Sequence, residues 1–220
     1  MQRAPAHHLS LGGLLVAATL HQLDVQGATV VGHSLGGTVT TALAEQSPHL
    51  VERAVIVDQA PDNSYGGLDF PAKLSTSPVI GQALWRTAPE FAIREGLSQA
   101  FAPGFDIPDT FIDDFQRMTF TSYDHSVAEQ VRYTDEKPLN ERLEQTGVPL
   151  LAVFGEQDQI YAAREALRAY AGVTRSQTQL IPDAGHAPNV EQPMVLAQLI
   201  LAFSAPAHPG VAIHGNDSSG

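Results

Sequence analysis

Nine residues, Thr29-Val30-Val31-Gly32-His33-Ser34-Leu35-Gly36-Gly37, restrict the possible folds more than any other stretch of this chain. Three β-branched residues suit a short buried strand, and the glycines and serine behind them suit a turn so tight that its neighbours must be small. A helix follows at once. Gly32 and Gly36 stand two residues to either side of Ser34, completing G-x-S-x-G, and Gly37 lets the new helix lie close to the sheet. The start of that helix aims free backbone N–H groups and a partial positive charge at whatever bonds to the serine.

The flanking sequence supports a strand-to-helix reading. Leu9 to Leu23 carries apolar residues at helical spacing after an irregular entry over residues 1–8, and Asp24 to Gly27 suits a turn. The spacing predicts a strand over Ala28 to Gly32 and a helix from Leu35 to about Gln46, stopped by Ser47-Pro48. Val51 to Asp58 follows, with Ala54-Val55-Ile56-Val57 as a continuous apolar run of the kind found in a parallel sheet covered on both faces. From Gln59 to about Thr146 prolines recur and buried-strand runs cease, so helices are expected, among them Val79 to Trp85, Phe91 to Phe101 and Thr110 to Met118. Alternation resumes with a strand at Pro149–Gly155, a helix over Ala162 to Ala171, a strand around Thr178–Ile181 and a last helix from about Val190 to Phe203. The tail from 205 to 220 is rich in Pro, Gly, Asn, Asp and Ser without periodicity and is expected to be disordered.

Composition excludes several classes. A chain of 220 residues with 43% apolar residues suits one globular domain, and no eighteen apolar residues run unbroken, so no membrane span is expected. A formal charge of -12 offers no basic patch for nucleic acid or an anionic membrane surface. The absence of cysteine removes disulfides, thiolate chemistry and cysteine metal sites, and with no leader-like start the expected compartment is the cytoplasm. No H-E-x-x-H and no phosphate-binding glycine pattern occurs, so neither metal nor cofactor is expected.

Parallel strands send their functional loops out at their carboxyl ends, which is where partners for Ser34 belong. Phe154-Gly155-Glu156-Gln157-Asp158-Gln159 leaves the third strand and Pro182-Asp183-Ala184-Gly185-His186-Ala187 the fourth. A serine hydroxyl needs a base to take its proton, usually histidine, and the histidine needs a carboxylate to fix its tautomer. Ser34, Asp158 and His186 supply these roles in the order Ser, Asp, His that follows a G-x-S-x-G turn. Glu156 is the alternative acid, Asp183 suits a turn, and His33 is read as packing around the turn.

With these three motifs the chain resembles the α/β-hydrolases over residues 9 to 204: Gly32–Gly37 resembles the nucleophile elbow, Phe154–Asp158 the acid loop, and Gly185-His186 followed by Glu191-Gln192-Pro193 the histidine loop. The resemblance implies an α/β fold, a parallel sheet flanked by helices, with 1–58 and 147–204 as core and 59–146 as a helical cap insertion. It implies a serine hydrolase with Ser34, Asp158 and His186 catalytic and the Leu35 N–H in the oxyanion hole. The cap side chains Trp85, Phe91, Phe101, Phe105, Phe111, Phe115, Met118 and Phe120 are expected to be chiefly core, with some facing a pocket for a small, uncharged ester-like substrate. Serine at the elbow argues against the dehalogenase and epoxide hydrolase branches. It leaves esterase, cofactor-free haloperoxidase, C–C hydrolase and acyltransferase open, with a non-catalytic binding module as the reading of another class. The oligomeric state is open.

The resemblance also implies strands upstream of the elbow and a loop with a second oxyanion donor, yet residues 1 to 27 contain no His-Gly pair and no buried-strand run. The expectation is therefore an N-terminally truncated hydrolase, with Met1 internal to a longer parent and Val30 and Val31 on an open sheet edge.

Overall fold

The computed structural model describes residues 11–66 and 87–205. The expected entry over residues 1–8, the helix Val79–Trp85 and the tail from 206 onward lie outside the described residues. Four strands, β1 (Ala28–His33), β2 (Val51–Val57), β3 (Leu150–Gly155) and β4 (Ser176–Ile181), form one parallel sheet in chain order. Their register sets Val31 beside Val55, Ile56 beside Ala152, and Ala152 beside Thr178.

The continuous apolar runs are explained by burial on both sides. Ala54, Ile56, Leu150, Ala152 and Phe154 join a core built with α1 (Leu11–Gln22), α2 (Leu35–Gln46) and α7 (Ala163–Ala171). The alternate residues Val55, Val57, Leu151 and Val153 pack on the opposite face with Ile181 and Leu196. Leu196 belongs to α9 (Pro193–Ser204), which follows the short α8 (Pro188–Glu191). The single helix expected from Val190 to Phe203 is thus two. Pro193 has no N–H and forces Gln192 out of the helical region, where it sits at φ -135°.

Between β2 and β3 run α3 (Glu90–Leu97), α4 (Asp109–Arg117), α5 (Phe120–Glu136) and α6 (Leu139–Thr146). Of the 17 residues in α5 only Phe120, Tyr133 and Thr134 are buried, so its apolar stripe is thin. Its end is fixed instead by a polar junction. Tyr133 donates to Glu45 Oε2 of α2 at 2.5 Å, and Arg142 of α6 donates to the same oxygen at 3.0 Å while its guanidinium lies 3.8 Å from the Tyr133 ring centre. Leu139 and Leu143 of α6 enter the main core.

Phe101, Phe105 and Phe111 make a second cluster: Phe101 stacks on Phe105 and meets Phe111 edge-on, both at 5.3 Å, with Ile107 and Ala187 buried among them. Phe91 is exposed. Among the described residues β1 pairs only with β2, and Val31 is 46% exposed, while Val30 packs on the core. No described helix is long and apolar enough to cross a membrane.

Candidate active site

Because all four strands run parallel, their carboxyl ends share one edge of the sheet, and each sends a chemically useful side chain there. Ser34 follows β1, Asp58 follows β2, Asp158 follows β3 and His186 follows β4.

Ser34 occupies a strained left-handed conformation at φ 52° and ψ -126°, between the last residue of β1 and the first turn of α2. Its N–H donates to Val57 O at 2.9 Å, and its carbonyl accepts from Gly37 N at 2.7 Å. The turn leaves no room for side chains at two places. A Cβ on Gly32 would lie 2.1 Å from Gly36 O, and one on Gly37 would lie 2.8 Å from Gln59 Cβ. Gly36 itself faces open space, so sterics with the described residues do not demand it.

His186, only 4% exposed, bridges the other two expected residues. Its Nε2 lies 2.9 Å from Ser34 Oγ and its Nδ1 3.0 Å from Asp158 Oδ2. The Asp158 carboxylate is fully buried, and its second oxygen accepts from Ile160 N at 2.7 Å and Tyr161 N at 3.2 Å. Both carboxylate oxygens are therefore fixed, which in turn fixes the imidazole. With Nδ1 protonated toward Asp158, Nε2 is left to accept the serine proton. Leu35 is the first residue of α2, so its N–H has no carbonyl partner within the helix.

The alternative acid, Glu156, turns away to pair with Arg164 at the surface. Asp183 adopts φ 54°, as a turn residue does. His33 does more than pack: its Nε2 donates to the His186 carbonyl at 2.6 Å, tying the elbow to the histidine loop, and burial lowers its pKa. His125 is an exposed residue of α5.

Three participants are absent from the sequence-derived set. Glu191 accepts from Gly185 N at 2.9 Å, Ala187 N at 3.1 Å and Ala102 N at 2.7 Å, gathering the loop after β4 and the segment between α3 and α4 onto one carboxylate. Tyr161 lies with its ring centre 5.7 Å from that of His186, and its hydroxyl accepts from Gln130 at 3.3 Å and Gln59 at 3.4 Å. Asp58 is fully buried at φ 45°, with Oδ1 accepting from Gly155 N at 2.8 Å. Burial, and then the charge of Asp158, push the Asp58 carboxyl well above the usual carboxylate range. The signal for Asp58 was its place, directly after the apolar run of β2.

A cavity of about 240 Å³ adjoins the elbow. Leu11, Leu15, Leu35 and Val39 from α1 and α2 give it an apolar side, and His125, Ser126, Glu129 and Gln130 from α5 a polar one. A larger open hollow of about 600 Å³ is lined by residues between Glu90 and Ile107 and includes none of the residues around Ser34. Among the described residues, the acidic and histidine side chains near enough to share a cation are Asp58, Asp158 and His186, with one donor atom each inside 4.8 Å. Two of these three are already joined through the His186–Asp158 hydrogen bond.

The sequence profile of the alpha/beta hydrolase family matches residues 3–199. An uncharacterised protein of Mycobacterium tuberculosis is 22% identical over 207 residues, covering 86% of this chain and 59% of its own length. A carboxylesterase of Bacillus subtilis is 25% identical over 189 residues, covering 82% of this chain and 58% of its own. The chain thus spans a little under three fifths of these relatives. Among solved structures, a thermophilic esterase from Thermogutta terrifontis superposes with a TM-score of 0.65 at 22% identity, covering 92% of this chain and 74% of that one.

Proposed function

Since the chain belongs to the alpha/beta hydrolase family, we propose that it hydrolyses a small, uncharged carboxylic ester through Ser34, His186 and Asp158. The observation that carries this reading is the unbroken chain from Ser34 Oγ through both imidazole nitrogens of His186 to Asp158 Oδ2, with the serine on a strained strand-to-helix turn.

In this reaction Ser34 Oγ passes its proton to His186 Nε2 as it bonds to the acyl carbon. The carbonyl π pair moves to oxygen, and the Leu35 N–H at the start of α2 stabilises the resulting oxyanion. His186 returns the proton to the leaving alkoxide oxygen as the C–O bond breaks, leaving an acyl ester on Ser34. Water then loses a proton to Nε2 and attacks the same carbon, and collapse releases the acid with Ser34 protonated again. Asp158 holds the imidazole and offsets its positive charge in both halves. The cavity beside Leu35, apolar toward α1 and α2, suits a short acyl or alkyl group, and its lining residues include Glu129 but no lysine or arginine to hold an anionic one. The esterases among the relatives and solved structures agree with this chemistry.

Hydrolysis of p-nitrophenyl esters of rising acyl length tests the reading. Turnover is expected on short chains and should fall below about one thousandth in Ser34→Ala and in His186→Ala. A folded protein without turnover on any ester would favour a binding module instead.

A further inference from the structure

Asp58 is a buried carboxyl group at the carboxyl edge of the sheet that the reaction above does not use. It is fully buried, its Oδ1 holds one backbone N–H, and among the described residues no donor reaches its Oδ2. An unpartnered, buried carboxylate oxygen is costly, and here it faces a second carboxylate rather than a cation. One oxygen of Asp58, one of Asp158 and one ring nitrogen of His186 lie within 4.8 Å of one another. Two anions cannot be held so close in a dry site; one proton between them removes the repulsion and supplies the missing hydrogen bond.

The local donors decide which carboxyl carries that proton. Asp158 accepts two backbone N–H groups and His186 Nδ1–H, whereas Asp58 accepts the Gly155 N–H alone. The better-solvated anion is Asp158. We propose that Asp58 is a positioning residue, a neutral carboxylic acid that donates a hydrogen bond to Asp158 and so draws part of its charge away from His186.

This role rests on the Ser34–His186–Asp158 reading but is testable apart from it. The other titratable groups around the pair are His186 and Glu191 from the loop after β4, His33 from the elbow, and Tyr161 ahead of α7. None of them donates to Asp58 Oδ2. Removing the Asp58 proton donor would leave the Asp158 charge to act on the imidazole alone, so activity would switch on at higher pH.

The test compares Asp58→Asn, whose amide keeps both a donor toward Asp158 and an acceptor for Gly155, with Asp58→Leu, which keeps neither. Wild type at neutral pH should show an infrared carbonyl stretch of a protonated, buried carboxylic acid, and Asp58→Asn should lose it; this readout needs no turnover. In pH profiles of kcat/KM, Asp58→Asn should hold the acidic limb within about 0.3 pH units of wild type, and Asp58→Leu should move it up by about one unit with roughly tenfold loss of rate. Absence of the carboxylic-acid band, or an Asn variant as shifted as the Leu variant, would overturn the proposal. So would a Leu variant that loses thermal stability while its acidic limb stays in place. Should the wild type have no esterase activity, the Ser34 reading fails, and the infrared band still decides whether Asp58 shares its proton with Asp158.

Discussion

Glu191 shows how a residue that touches no reacting atom can govern the site. It gathers N–H groups of Gly185, Ala187 and Ala102, so its carboxylate joins the His33 hydrogen bond in holding the loop that carries His186. Glu191→Ala should lower kcat/KM about ten- to a hundredfold by loosening the imidazole, and a wild-type rate constant in that variant would remove it from the account. His33 makes a pH prediction. Burial depresses its pKa below the ordinary 6.5, so the unfolded chain takes up the proton first. Its contribution to stability is therefore full above about pH 6.5 and is lost as pH falls toward the folded value. His33→Gln, whose amide can still donate to the His186 carbonyl, should flatten the fall of melting temperature between neutral and mildly acidic pH; an unchanged slope would place that pH dependence elsewhere. Ser34, Asp158 and His186, whose side chains lie within hydrogen-bond reach along one chain, could be picked out as candidates because each follows a strand in a recognisable loop. Asp58 also ends a strand, but nothing local distinguishes a carboxyl held neutral by burial from one that merely closes a strand, and Glu191 reveals itself only through N–H groups up to 89 residues away.

Strands β2 and β3 were legible because continuous apolar runs have few other uses, and both are indeed buried on both faces, whereas β4, with polar residues at 176–179, offers no such run. Sequence position was less informative for α5, whose stripe is thin and whose seat depends on Glu45, Tyr133 and Arg142 meeting from three helices. The break between α8 and α9 was legible in principle through Pro193, though the apolar periodicity on both sides masks it. The Glu45 junction carries a stability prediction. Arg142 is 6% exposed, and Glu45→Ala would remove its nearer carboxylate, leaving it only Glu136 at 3.8 Å as an acidic partner among the described residues. About 2 kcal/mol of stability should be lost, less than for a fully dry pair because Glu45 is partly solvated and Arg142 keeps bonds to the Lys137 and Tyr133 carbonyls. Chemical denaturation of the variant measures this, and a loss under about 0.5 kcal/mol would mean that the junction is held by packing alone.

The parallel sheet gathers the side chains of Ser34, Asp58, Asp158 and His186 at one edge from loops as much as 152 residues apart, and this gathering could be anticipated once the strand–helix alternation was read. The arrangement leaves β1 paired on one side among the described residues, with Val31 half exposed. An apolar edge of this kind invites pairing between molecules, so Val31→Lys should slow heat-induced aggregation followed by light scattering, while an unchanged rate would direct attention to another surface. The central claim is that the elbow holds an activated serine. Intact-mass measurement after treatment with a fluorophosphonate tests it most directly. One adduct on Ser34 is expected, absent in Ser34→Ala and slowed at least a hundredfold in His186→Ala; folded wild-type protein that stays unlabelled, or labels elsewhere, would contradict it.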